Sequence, residues 1–177
     1  MNKKLLTQNI ALVGILSAQA IALSYLESLI PVIPGFPPGA KPGLSNIVTM
    51  FSAGTLGIWQ TLYITLAKAV FAGVTRGLTA FLTSLTGGLL STAVALLLLR
   101  SKNNKLGYVG IGIICAVCHN IGQLCVACVL SGTPELFTSY GPFLLLAAGA
   151  TGFLTGTILK YIMPALEKQK KFIIKSN

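Results

Sequence analysis

Apolar residues along this chain run in long blocks, and polar residues gather in a few short breaks. Residues 5–29, 78–99, 107–130 and 141–163 are each close to the roughly 20 apolar residues that a membrane-spanning helix needs. The stretch 44–76 is more broken. It is too long for one crossing and reads as two helices, 44–58 and 59–76, with the break near Gly57. The breaks are a proline-rich segment at 30–43, a basic loop at 100–106 and a polar loop at 131–140 that carries Glu135. A basic tail follows at 164–177. The pattern predicts one all-α domain over residues 1–177 with six transmembrane helices.

Composition supports the membrane class. Hydrophobic residues make up 54% and charged residues 9%, against about 25% charged in soluble domains. Such a chain cannot cover a water-facing surface.

The net charge of +10 invites a nucleic-acid reading, but the positions of the charges argue against it. Ten cations lie at the ends of apolar blocks: Lys3, Lys4, Arg100, Lys102, Lys105, Lys160, Lys168, Lys170, Lys171 and Lys175. The positive-inside rule assigns these positions to the cytoplasm. The N-terminus, the 100–106 loop and the C-terminal tail are therefore expected inside, and 30–43 and 131–140 outside. An odd number of crossings must then separate residue 43 from residue 100, which gives three and six in total. Lys3 and Lys4 with Ala18-Gln19-Ala20 mimic a cleavable signal. The apolar run continues to Leu26, so this segment reads as an uncleaved first helix.

Three cations lie elsewhere, at Lys41, Lys68 and Arg76. In the third helix Thr61, Thr65, Lys68, Ala72 and Arg76 share one face. A lysine at mid-membrane costs about 2.5–3.5 kcal/mol on insertion scales and must face the bundle interior or a wet cavity. Arg76 lies near the helix end, from which it can snorkel. In the fifth helix His119 and Gln123 share a face and Asn120 flanks them. Glu27 ends the first helix, where Lys41 or Arg76 is in range, and Asn46 opens the second. Together Glu27, Lys41, Asn46, Lys68, Arg76, His119, Asn120 and Gln123 predict a cationic cavity open to the outside, suited to a small anionic ligand. The five prolines of 30–43 forbid a helix and make that segment a candidate lid. Gly14, Ala18 and Ala22 form a small-residue stripe, which lets helices approach closely in lipid. It serves either internal packing or docking onto another membrane subunit.

Other motifs carry less. Cys115-Ala-Val-Cys118-His119 matches a haem-attachment pattern and Cys125-Val-Ala-Cys128 follows it. Both lie inside an apolar helix, where cysteines behave as small hydrophobes. Thr86-Gly87-Gly88 and Gly110-Ile-Gly112 lack the spacing of phosphate-binding loops and read as helix-packing positions. No cofactor or metal site is expected, and no ATPase motif is present.

Four stretches resemble the Gx transporter family, also described as heptaprenyl diphosphate synthase component I. They are Ser24-Tyr25-Leu26-Glu27-Ser28-Leu29-Ile30-Pro31, Lys41-Pro42-Gly43-Leu44-Ser45-Asn46-Ile47-Val48-Thr49, Ser84-Leu85-Thr86-Gly87-Gly88-Leu89-Leu90-Ser91 and His119-Asn120-Ile121-Gly122-Gln123. That family in turn resembles the substrate-binding S components of energy-coupling factor (ECF) transporters. The resemblance implies a bacterial cell-membrane protein with six helices and both ends inside. It implies an outward cavity under a lid, and docking through Ala18 and Ala22 onto a transmembrane coupling subunit driven by two ATPases. The ligand it implies is a vitamin, cofactor or isoprenoid-related molecule. It also leaves open a non-catalytic membrane subunit in prenyl-diphosphate or quinone biosynthesis, or in flavin-based extracellular electron transfer. Prenyl diphosphate synthases hold Mg²⁺–diphosphate with aspartate-rich motifs. This chain has three acidic residues, all glutamate, so no enzymatic activity of its own is expected.

Overall fold

The computed structural model describes the backbone of residues 3–29, 43–101 and 106–175, and side chains within 7–164 of that range. The described residues form six helices and no strand. They are α1 (Lys3–Leu29), α2 (Asn46–Thr55), α3 (Ile58–Arg76), α4 (Leu78–Arg100), α5 (Tyr108–Ser131) and α6 (Leu136–Lys175). Four stretches are long and apolar enough to cross a membrane: Asn9–Leu29, Leu78–Arg100, Tyr108–Ser131 and Leu136–Pro164. The ten-residue α2 is about 15 Å long at 1.5 Å per residue, which is half a bilayer core.

Glycines set two of the turns. Gly77 joins α3 to α4 with φ +86°, and Gly132 ends α5 with φ +65°, a region that glycine enters without steric cost. The 131–140 loop is shorter than the sequence predicts. Helix α6 starts at Leu136 and runs through Pro142, aided by the Thr138 hydroxyl, which donates to the Glu135 carbonyl at 2.8 Å.

Neighbouring helices alternate in direction. Asn46 meets Lys68 while Ser52 meets Thr61, so α2 and α3 are antiparallel. Small residues bring the later helices close. A Cβ on Gly122 would lie 2.8 Å from the Gly87 Cα, and one on Gly112 would lie 2.8 Å from the Gly156 backbone. These are the close helix contacts expected of Gly87 and Gly112. Two apolar clusters fill the bundle. Leu16, Ala20, Val48 and Ile64 join α1, α2 and α3. Met50, Ala53, Ala95, Ile111, Cys115, Leu159 and Met163 join α2 with α4, α5 and α6. Cys115 thus packs as a hydrophobe, and all four cysteines are free.

At the end of the bundle where α2 turns into α3, Arg100 reaches across from α4. Its guanidinium donates to the carbonyls of Ala53 at 3.3 Å and Leu56 at 2.5 Å. These carbonyls belong to the last turn of α2 and its C-cap, so Arg100 satisfies acceptors that the helix leaves open. The charge that signals topology in the sequence therefore also fastens a turn.

Candidate functional site

The alternation of directions brings five chain segments to the opposite end of the bundle. They are the last turns of α1 and α3, the first turns of α2 and α4, and the middle of α5. Each contributes a polar side chain, and Ser24, Glu27, Ser45, Lys68, Arg76, Thr83, Ser84, His119 and Gln123 surround one small cavity.

Helix α3 presents its polar stripe inward as its spacing requires. Thr61, Thr65, Lys68 and Ala72 are buried, and Arg76 is half-buried at the helix end. Lys68 is only 2% exposed, although it is the longest of these four buried side chains. Its ammonium donates to the Asn46 Oδ1 at 2.5 Å. An isolated ammonium in an apolar interior is costly, and a hydrogen-bonded one is far less so. Below it, the Thr65 and Thr92 hydroxyls share a hydrogen bond at 2.9 Å.

Glu27 is buried, and its bonds are made to Ser45. The Ser45 backbone N–H donates to Oε1 at 2.8 Å, and the hydroxyl donates to Oε2 at 3.3 Å. The carboxylate thus ties the end of α1 to the turn that precedes α2. It also lies within electrostatic reach of Lys68 and Arg76. One carboxylate against two cations leaves a local excess of one positive charge.

His119 and Gln123 are buried one turn apart on α5 and hydrogen-bonded to each other. The imidazole sits between two glycines. A Cβ on Gly87 would lie 2.9 Å from the His119 Nδ1, and one on Gly43 would lie 3.0 Å from its Cδ2. Gly43 also has φ +84°, so both its conformation and its closeness to the ring favour glycine. It is the last residue of the proline-rich segment, and it packs against the site.

Asn120 is placed elsewhere. It is buried on the side of α5 that faces α6, where its amide donates to the Leu144 carbonyl at 2.9 Å. Adjacent residues on a helix point about 100° apart, and His119 takes the direction of the cluster. Lys41 and most of the 30–43 candidate lid lie outside the described residues. Ser24, Ser45, Thr83 and Ser84 also line the cavity, although none is predicted as a site residue. Ser24, Ser45 and Ser84 lie in the family-like stretches, Ser24 shares a face with Glu27, and Thr83 shares one with Gly87.

The cavity is about 20 Å³, room for about one water molecule. The sequence predicts an open cavity, but here the polar groups close on one another. The described groups leave no space there for anything larger.

The Gly14, Ala18 and Ala22 stripe is exposed on α1, and a Cβ on Gly14 would meet nothing within 4 Å. Among the described residues this stripe is exposed, and its Ala22 also lines an apolar groove of about 650 Å³ shared with Ile47 of α2 and Leu159 of α6.

Long apolar helices, an exposed small-residue stripe and a buried polar cluster at one end define a multi-pass helical membrane protein. The chain belongs to the family described as heptaprenyl diphosphate synthase component I, whose model matches residues 16–162. No curated protein and no solved structure matches it.

Proposed function

We propose that this protein is the substrate-binding subunit of an ECF-type uptake transporter in the cell membrane, taking up a small anionic ligand. The observation that carries the reading is the buried cluster of Lys68, Asn46, Glu27, Arg76, His119 and Gln123 beside Gly43. Intramembrane ionisable groups are rare and mark substrate or ion pathways. The excess cation favours a carboxylate or phosphate, and that anion would take over the charge balance now supplied by Glu27. The closed cavity fits a ligand-free state, and binding would move the end of the proline-rich segment away from His119. All six helices would span or enter the bilayer with both termini cytoplasmic, which places the cluster on the external side. The exposed Gly14, Ala18 and Ala22 face offers a surface for a coupling subunit driven by two ATPases. With no aspartate to hold Mg²⁺–diphosphate, the protein would bind rather than catalyse.

The family description favours a second reading. In it the chain is a non-catalytic membrane subunit of a prenyl-diphosphate, quinone or flavin-based electron-transfer system. One experiment separates the two. The tagged protein is extracted gently from its native membrane, and its bound proteins and small molecules are identified by mass spectrometry. A coupling subunit with two ATPases supports the transport reading. A prenyltransferase or flavoprotein in their place retires it.

A further inference from the structure

On the other side of α5 from His119, a groove of about 450 Å³ lies between α5 and α6. That volume is in the range of small-molecule sites. It is lined by Ile121, Leu124, Phe137 and Leu145, with Asn120 buried and Thr138 exposed among the polar lining residues. Ile121, Phe137 and Leu145 are 41%, 43% and 55% exposed, so the groove opens on the lipid-facing surface.

The buried polar lining group with an open valence is an acceptor. The Asn120 Nδ2 is committed to the Leu144 carbonyl. That bond fixes the orientation of the amide, because a carbonyl accepts only from the nitrogen. The Asn120 Oδ1 is left buried without a partner, in a residue 3% exposed. Buried polar atoms are nearly always hydrogen-bonded, and an exception calls for an explanation. The start of α6 leaves another acceptor short of its helical donor. Pro142 has no N–H, so the Thr138 carbonyl loses the donor that the next helical turn would supply. No charged side chain is among the lining residues.

We propose that this groove binds a neutral, lipid-soluble molecule that carries an O–H donor, such as a phenol or a long-chain alcohol. The hydroxyl is donated to the Asn120 Oδ1, and the hydrocarbon portion lies along Phe137, Ile121 and Leu145. The groove offers an anion no cation and a cation no carboxylate. Because His119 and Asn120 are consecutive, this site and the polar cluster lie back to back on one turn of α5. The proposal stands independently of the transport reading.

The test uses the full-length protein in lipid nanodiscs, with empty nanodiscs subtracted. Equilibrium retention is measured for 4-nonylphenol and for 4-nonylanisole, its methyl ether, which has the same body and no donor. The wild type is expected to bind the phenol at least tenfold more tightly than the ether. Asn120→Ala is expected to bring the phenol down to the level of the ether. Leu145→Trp, which fills the groove and keeps the Asn120–Leu144 bond, is expected to weaken both at least tenfold. Equal binding of the two probes by the wild type overturns the proposal. So does unchanged discrimination in a folded Asn120→Ala protein. If that variant does not fold, Leu145→Trp decides, and undiminished phenol binding there overturns it.

Discussion

The Lys68 ammonium donates to the Asn46 Oδ1 at 2.5 Å, joining the inward face of α3 to the first residue of α2. The pair concentrates the cost of a buried charge in one bond. Leaving a buried charge without its partner is strongly destabilising, whereas replacing both partners by apolar groups can be nearly neutral. Asn46→Ala is therefore expected to lower stability by about 3 kcal/mol, seen as a lower Tm in detergent. Lys68→Met should cost much less, and the double variant Lys68→Met with Asn46→Leu should regain most of the loss. If Asn46→Ala is as stable as the wild type, Lys68 does not depend on this bond.

Lys68→Met also tests the proposed site. The variant is expected to fold and to lose binding of the native anionic ligand at least a hundredfold, about 3 kcal/mol at 1.4 kcal/mol per factor of ten. Unchanged affinity in a folded Lys68→Met protein would remove Lys68 from the site.

Gly87 is expected to be intolerant of any side chain. Its added Cβ would lie 2.7 Å from the His119 carbonyl oxygen, a rigid atom in the facing helix. Overpacking of this kind costs about 1–3 kcal/mol, and Gly87→Ala should lower Tm accordingly. Gly149→Ala is the control, because its Cβ meets nothing within 4 Å. It should be neutral or more stable by up to about 1 kcal/mol, from helix propensity. Equal effects from the two substitutions would contradict the close α4–α5 approach.

Arg100 holds the carbonyls of Ala53 and Leu56. Arg100→Ala should loosen the α2–α3 turn and leave the distant polar cluster in place. Amide hydrogen exchange at residues 54–58 is expected to rise by about tenfold, the equivalent of one hydrogen bond to a charged group. Exchange in α5 around His119 should not change. Increases spread evenly over the chain would mean global destabilisation instead.

The exposed stripe on α1 gives a prediction that separates folding from assembly. Ala18→Leu with Ala22→Leu adds bulk to two exposed residues. Tm and ligand binding should stay within error of the wild type, while recovery of membrane partners from native extracts should fall at least tenfold. Partner recovery that survives the double substitution would place docking elsewhere.

Much of the fold is legible in the sequence because lipid imposes a simple rule. Apolar blocks must be helical, so most of their ends can be placed within a few residues. The exception is α6, which runs to Lys175 through the basic stretch expected as a tail after residue 163, because hydropathy marks where lipid ends and not where a helix does. A lysine within such a block must turn inward, which fixes the face of α3 from Thr61 to Ala72. The same reasoning makes Glu27, Asn46, His119 and Gln123 candidate neighbours, and they meet in the cluster. Helical periodicity alone cannot orient Asn120, since His119 and Asn120 point about 100° apart. The position of α6 decides that Asn120 bonds to Leu144.

The sequence by itself determined the membrane class, the helical blocks and the inward lysine. Those follow from hydropathy and from the cost of charge in lipid, properties of single segments. Only the tertiary structure decided that Lys68 bonds Asn46 and that Glu27 bonds Ser45. It also decided that the cavity is closed and that the small stripe of α1 is left exposed. Each of these depends on the separation of two helices, which glycines such as Gly87 and Gly112 set through contacts that no segment makes alone.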